Sequence, residues 1–471
     1  MKDYQLAWKN LWRNRRRTLI TAASVFFAVF FALVMRSFQL GTYEKMYRDV
    51  IESYSGYLQL QHSDYLDEPG LDNSIVIDPA VVTLIESDPN VTGVVPKLES
   101  FALAASGNRT QGVMVIGMDP GNEHKALNIR NRLVKYRLYP EAVEALKGEK
   151  LPGRTQKLLD VFVNKAFTDD ANLISDLAID VSDTLEILPL FRRIASFGNN
   201  YLTASDSGYA VIGQGLSVYL DAAVGDTLVL MGQGYHGTSA AGLFTVKGIV
   251  SLPNPEIDNR FVYITLDDAR YLYDAAGRAT SAIINIRDKD DDELLATQTR
   301  LSPVCGEGLA IRTWKEMNAL LLNQMEADNR SGAIMVGILY LVIAFGVFGT
   351  VLMMMAERRR EFGMLVSIGM QKSKLAGVVG MEMMLVGLLG MAAGVIASLP
   401  IVFIGNARPL RFTGEIAKMY EDYGFDPVMP MLLPDTYYLW QVVIVLLILS
   451  IAIAFSVRKI FKMNVINALR A

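Results

Sequence analysis

The stretch Ala356–Leu375, AERRREFGMLVSIGMQKSKL, stands between two long apolar runs. Arg358, Arg359 and Arg360 are consecutive, Glu357 and Glu361 flank them, and the apolar residues that follow recur at helical spacing. A basic, helix-patterned segment between two membrane-length runs marks the side of the membrane that accepts positive charge. Glu357 and Glu361 pair with the arginines at short range along such a helix. Phe362, Leu365 and Ile368 give it an apolar face, and Gly363 and Gly369 relieve crowding where another protein can approach.

Either side of that stretch lie Ile334–Met355 and Ala376–Ile404; Thr18–Met35 and Leu439–Val457 complete four runs with the roughly 20 mostly apolar residues a span needs. The hydrophobic content of 51% agrees with a membrane protein. The first run follows a basic segment, as a secretion signal would, but it is long and ALVMRSFQLG offers no convincing small-residue cleavage site, so it reads as an uncleaved span. Arg13, Arg15, Arg16 and Arg17 precede span one, Lys372 and Lys374 join the arginines between spans two and three, and Arg458, Lys459 and Lys462 follow span four. The positive-inside rule then makes all three places cytoplasmic, with both termini inside. Within residues 1–17, Tyr4, Trp8, Leu11 and Trp12 share one helical face opposite Lys9, Arg13 and Arg16, which suits a helix lying in the lipid interface.

By the same count, residues 36–333 form one large domain outside the cytoplasm, 405–438 a smaller loop on that side, and 458–471 a cytoplasmic tail. The large domain reads as α+β. Strand signals occur at GYLQLQ (Gly56–Gln61) and GVMVIGMD (Gly112–Asp119), and DPAVVTLIESDP is a short helix capped by Asp78 with Pro79 at its first position. This pattern over 54–119 resumes over 260–313. Between them, 120–259 reads as a mostly-β insert, with strand signals at DVFVN (Asp160–Asn164), GYAVIG, DTLVLM and LFTVKGIV. Both junctions with the membrane, Ser37–Tyr54 and Thr313–Ile334, continue the helical pattern, and unbroken helices there act as stalks.

No catalytic constellation emerges. A single cysteine, Cys305, excludes an intrachain disulfide or a cysteine zinc site, and three dispersed histidines, His62, His124 and His236, point to no metal. GQGYHG (Gly232–Gly237) matches a dinucleotide fingerprint formally, yet a strand follows where a helix is required, so it reads as a glycine-rich hairpin. DKDDDE (Asp288–Glu293) lacks the glycine and late glutamate of a calcium loop and reads as a helix N-terminus. There is no G-x-x-x-x-G-K-[ST] phosphate loop, so this chain is not expected to bind ATP in the P-loop manner by itself. No nucleic-acid partner is expected.

Within the spans, Glu382 lies near the cytoplasmic end of span three and reads as a tie to the basic loop ahead of an ion-pathway group. Gly387, Gly390 and Gly394 include a small-xxx-small pair, fit equally for packing inside the bundle or for a dimer seam.

The segments LAWKNLWRNRRRTLIT, ERRREFGMLVSIGMQKSKL, GMEMMLVGLLGMAAG and VINALRA, in this order, with AVIGQGLSVYLDAAVGDTLVLM and LFTVKGIVSLPNPEIDNRFVYI in the large domain, resemble the FtsX-like, or MacB-like, ABC transporter permease family; the pattern is that of its lipoprotein-releasing members LolC and LolE. The resemblance implies four transmembrane helices and a periplasmic domain with a porter-like part (54–119 and 260–313) and a Sabre-like insert (120–259). It implies the membrane half of a mechanotransmission-type transporter in the bacterial inner membrane, paired as a homodimer or with a related permease, driven by a separate ATPase that holds ATP and Mg. Residues 356–375 then carry the coupling helix that docks on that ATPase. Lipoprotein release, MacB-like efflux of peptides or drugs through a periplasmic adaptor, and an FtsX-like relay to a cell-wall hydrolase all fall within the family. The chain departs from MacB in carrying no ATPase domain, and from LolC and LolE in the length of its large domain and of the 405–438 loop.

Overall fold

The computed structural model describes residues 15–180, 182–412, 416, 419 and 428–462. Trp8, Trp12 and Arg13 of the expected interfacial helix lie outside the described residues, as do the side chains of Arg16 and Arg17 and the tail beyond Lys462. The chain divides into two compact units, residues 1–45, 321–411 and 428–471 in one and 46–320 with 412–427 in the other.

The first unit is built on four long helices, α1 (Arg15–Val50), α2 (Ala319–Glu357), α4 (Lys372–Ala407) and α5 (Thr436–Phe461), with a short helix α3 (Arg359–Ser367) between α2 and α4. All four long helices have the length and apolar composition to cross a membrane. At about 1.5 Å per residue the 39-residue α2 is about 58 Å long, nearly twice the roughly 30 Å hydrocarbon layer. The junction Ser37–Tyr54 is helical throughout, whereas in the junction Thr313–Ile334 a short helix, Trp314–Met317, is separated from α2 at Asn318 (φ −111°, ψ 34°), so the expected unbroken helix there begins only at Ala319.

Lipid tails are as apolar as leucine, so a bundle in lipid holds together by close packing rather than by burial from water. Here three close approaches fall on glycines of α4. A Cβ on Gly390 would collide with the carbonyl of Ala22, and one on Gly394 would stand 2.9 Å from the carbonyl of Phe26, both on α1. One on Gly387 would collide with the Leu449 side chain on α5. The small-residue row is therefore spent inside the chain. Val25, Val29 and Leu33 of α1, Tyr340 and Val347 of α2, Met383 and Met391 of α4 and Val445 and Leu449 of α5 fill the space between. Arg36 on α1 donates to Asn329 on α2 at 2.6 Å, and the Tyr43 hydroxyl donates to Asp328, joining the two helices beyond the apolar windows.

The second unit holds β1 (Leu58–His62), β2 (Ile75–Val76), β3 (Val91–Ser106), β4 (Arg109–Met118), β5 (Tyr136–Arg137), β6 (Ala166–Phe167), β7 (Tyr209–Gly213), β8 (Thr227–Gln233), β9 (Ser239–Val250), β10 (Phe261–Thr265), β11 (Arg278–Ala279), β12 (Ser281–Ile286) and β13 (Leu309–Thr313). Nine of them form one sheet in the order β13-β1-β12-β3-β4-β10-β7-β9-β8, and β8 also pairs with β3. The 16-residue length of β3 makes this possible: Val91–Lys97 pair with β12, and Ala102–Ala105 pair with β8. Strands β3, β4, β10, β7, β9 and β8 thus close into a six-stranded barrel, which removes their free edges. Ala102, Ala104, Val113, Val115, Leu228, Leu230, Val246, Val262 and Ile264 line its core on alternate positions of those strands.

The insert expected over 120–259 divides in two. Strands β7, β8 and β9 belong to the same sheet as β4 and β10. Residues 140–194 are mainly helical, Pro140–Lys147, Gly153–Val161, Asp170–Asp176 and Thr184–Ile194, around a core of Leu138, Leu146, Leu159, Leu173 and Phe191. The strand expected at DVFVN is absent. There the helix Gly153–Val161 ends, because Leu159 and Phe162, three apart, are buried while Val161 and Val163 stay exposed.

Candidate coupling site

Helix α2 stops at Glu357 because Arg358 leaves helical geometry, at φ −95° and ψ 8°, before α3 begins. At the far end of α3, Gly369 adopts φ +108°, a left-handed conformation that glycine takes without a Cβ penalty. The Gly369 amide donates to the Val366 carbonyl at 3.1 Å and the Met370 amide to that of Leu365 at 3.0 Å, a Schellman ending that satisfies the last carbonyls. Gly369 is thus a helix stop, and Gly363 is buried on the inner side of α3. Gly363 therefore does not stand on an outward face as expected, whereas Gly369 is exposed.

The three arginines separate. Arg358 is buried and donates through Nη1 to Glu382 Oε2 on α4 at 2.7 Å and through Nε to Glu361 at 3.1 Å. Its guanidinium lies 5.1 Å from the ring of Phe362, which is fully buried. Arg359, Arg360 and Glu361 are exposed, as is Glu357. The expected apolar face splits the same way: Phe362 packs into the bundle, while Leu365 and Ile368 stand outward with Met364, Ile368 at 79% exposure. The outer face of α3 therefore combines two cations with three apolar side chains, and its inner face is anchored by a buried ion pair. Removing one member of such a pair strands a charge and costs about 3–5 kcal/mol.

A second buried charge pair lies in the β unit, where the sequence reading placed nothing. A π-helical turn, Ile51–Ser55, follows α1. Its Tyr54 hydroxyl donates to Glu99 at 3.3 Å, and Tyr65 donates to the same oxygen at 2.8 Å. Lys97 pairs with the other carboxylate oxygen at 2.8 Å and lies 4.3 Å from the Tyr54 ring. Burial and the Glu99 charge hold the Tyr65 phenol well above the ordinary tyrosine range, so it stays a donor. The signal was present: Lys97 and Glu99 fall on the same strand face as buried Val95, where two opposite charges at period two are out of place. Among the described residues no group of three His, Cys, Asp or Glu side chains is placed to hold a metal.

Residues 333–465, which contain α3, α4, α5 and most of α2, match the FtsX-like permease C-terminal domain. Over this span the chain is similar to FtsX-like permeases. A curated relative, the lipoprotein-releasing system transmembrane protein LolC of Neisseria meningitidis serogroup B, is 23% identical over 191 residues, 40% of this chain and 46% of that protein; the chain spans about half the length of the relative it matches. Two solved structures overlap the chain at low scores. They are the periplasmic region of MacB from Actinobacillus actinomycetemcomitans (TM-score 0.29, 11% identity, 59% of this chain and 98% of that one) and the extracellular domain of the noncanonic ABC-type transporter YknZ from Gram-positive bacteria (TM-score 0.28, 8% identity, 55% and 100%).

Proposed function

We propose that this permease is the membrane subunit of a mechanotransmission-type ABC transporter, working as a dimer and driven by a separate ATPase that docks on α3. The observation that carries this reading is the outer face of α3, where Arg359, Arg360, Met364, Leu365 and Ile368 are exposed on a helix whose opposite face is locked into the bundle. A rigidly held, partly apolar and basic face is what a transmission contact needs. Apolar side chains give binding, and the cations give register.

ATP and Mg belong to the partner, and the permease itself carries out no chemistry. Closure and reopening of the partner move α3, the bundle shifts between two packings close in free energy, and α1 and α2 carry the motion outward as continuous helices. The large domain, in the periplasm, extracts or expels a lipoprotein or another amphiphile without passing it through the bundle. A periplasmic acceptor or adaptor completes the path. A relay to a cell-wall hydrolase is the second reading; a closed barrel with a separate helical part is more than a relay requires, which favours transport.

Purification of the intact complex from native membranes, with identification of co-purifying chains and lipid-anchored molecules by mass spectrometry, tests the proposal. An ATPase and an acylated cargo are expected. A cell-wall hydrolase in place of cargo would move the assignment to the relay.

A further inference from the structure

We infer that Arg358 and Glu382 are a positioning pair that fixes α3 to α4, so that the docking helix moves with α4 instead of hinging freely on α2. This rests on the docking reading for its purpose but not for its geometry.

Helix α3 has two attachments within the chain. Its connection to α2 is Arg358, whose backbone is off helical geometry, so the hydrogen-bonded ladder is interrupted there. Such an interruption is where a helix bends. At the far end of α3 the short link Ile368–Gln371 leads directly into α4, and at its N-terminal end α3 is tied to α4 a second time by the 2.7 Å pair between Arg358 and Glu382, both buried, with fully buried Phe362 beneath the guanidinium. In a low-dielectric setting a short charge-assisted hydrogen bond resists stretching far more than an exposed one, because separating the charges leaves both desolvated. The softer joint is to α2 and the stiffer one to α4.

What α4 touches next gives the pair its consequence. Gly390 and Gly394 bring the α4 backbone against the Ala22 and Phe26 carbonyls, positions one turn apart on each helix. Two successive backbone contacts admit little sliding. A displacement of α3 therefore enters the bundle through α4 and reaches α1 directly, while α2, whose Ile334, Ile338, Leu341 and Phe345 face outward, follows.

The test uses the full-length permease in lipid nanodiscs, with Cys305→Ser as background and spin labels at Ile368→Cys with Leu388→Cys (α3 to α4) or with Leu341→Cys (α3 to α2). The native pair predicts a narrow α3–α4 distance distribution. Glu382→Gln broadens it at least twofold, Arg358→Lys broadens it less, and the reversal R358E/E382R narrows it again. An unchanged α3–α4 distribution in Glu382→Gln overturns the inference, whether or not an ATPase docks. Should Glu382→Gln fail to fold, Arg358→Lys and the reversal carry the same test. In the native complex, Glu382→Gln is expected to retain the ATPase but to lose most ATP-driven output. Loss of ATPase binding from Arg359→Glu/Arg360→Glu reports on docking alone, so the two claims fail separately.

Discussion

Lys97 and Glu99, two residues apart on one face of β3, form a 2.8 Å ion pair with both ends buried. Such a pair is poor evidence of net stability but is severe when broken. Lys97→Met is expected to destabilise the β unit by about 3–5 kcal/mol, since Glu99 is left buried without its cation. Lys97→Met with Glu99→Gln is expected to recover most of that, because an amide oxygen still accepts from Tyr54 and Tyr65. Denaturant unfolding of the full chain, followed by hydrogen exchange on β3, reads both. Equal losses in the single and double variants would show that the charge pair is not what stabilises this site.

Glu123 predicts a pH dependence. Burial raises its carboxyl to about 7, despite an N–H bond from Ile129 at 2.8 Å. A carboxyl raised on folding contributes stability fully below its unfolded value of about 4.3 and loses it as pH rises through the folded value. The β unit is therefore expected to be more stable at pH 5 than at pH 8. Glu123→Gln should remove its share of that difference, a gain of up to about 3 kcal/mol at pH 8 and less at pH 5, while buried Asp258, likewise raised to about 7, keeps the rest. Melting temperatures of both chains at the two pH values check this.

The α4 glycines differ in what substitution does. Gly390→Ala places a Cβ against the Ala22 carbonyl, which no side-chain rotation relieves, so it should separate α1 from α4 and lower the melting temperature of the bundle. At Gly377 no atom among the described residues lies within 4 Å of the added Cβ. Gly377→Ala should be neutral or stabilise by up to about 1 kcal/mol from helix propensity. A matched pair of melts compares them.

How much of this was legible in the sequence follows from where the signal resides. Spans and stalks were, because roughly 20 apolar residues and sustained helical spacing are local properties. Asp78 was read as a cap and does accept from the Ala80 amide at 2.8 Å. The barrel was not legible, since nothing local says that the two halves of β3 take different partners. Residues 140–194 were misread because short amphipathic helices and short strands share β-branched and aromatic runs such as Val161–Val163, and only burial of Leu159 and Phe162 separates them. At α3 the residue types could not say that Arg358 turns inward while Arg359 and Arg360 turn out.

Orientation is testable by thiol labelling in intact cells with a membrane-impermeant reagent, on a Cys305→Ser background. Leu185→Cys, exposed in the large domain, is expected to react from outside the inner membrane, and Ile368→Cys only after the membrane is broken. The reverse pattern would invert the topology and remove α3 from the cytoplasm.

The central claim is that the outer face of α3 is where an ATPase grips the permease. The most direct measurement is ATP turnover of the complex purified through the permease, for the native chain, for Arg359→Glu/Arg360→Glu and for Ile368→Asp. None of these side chains is buried, so each variant should keep the native melting temperature. Both variants are predicted to lose the co-purifying ATPase and at least tenfold of the turnover recovered. ATPase binding and turnover equal to the native chain in both would contradict the account.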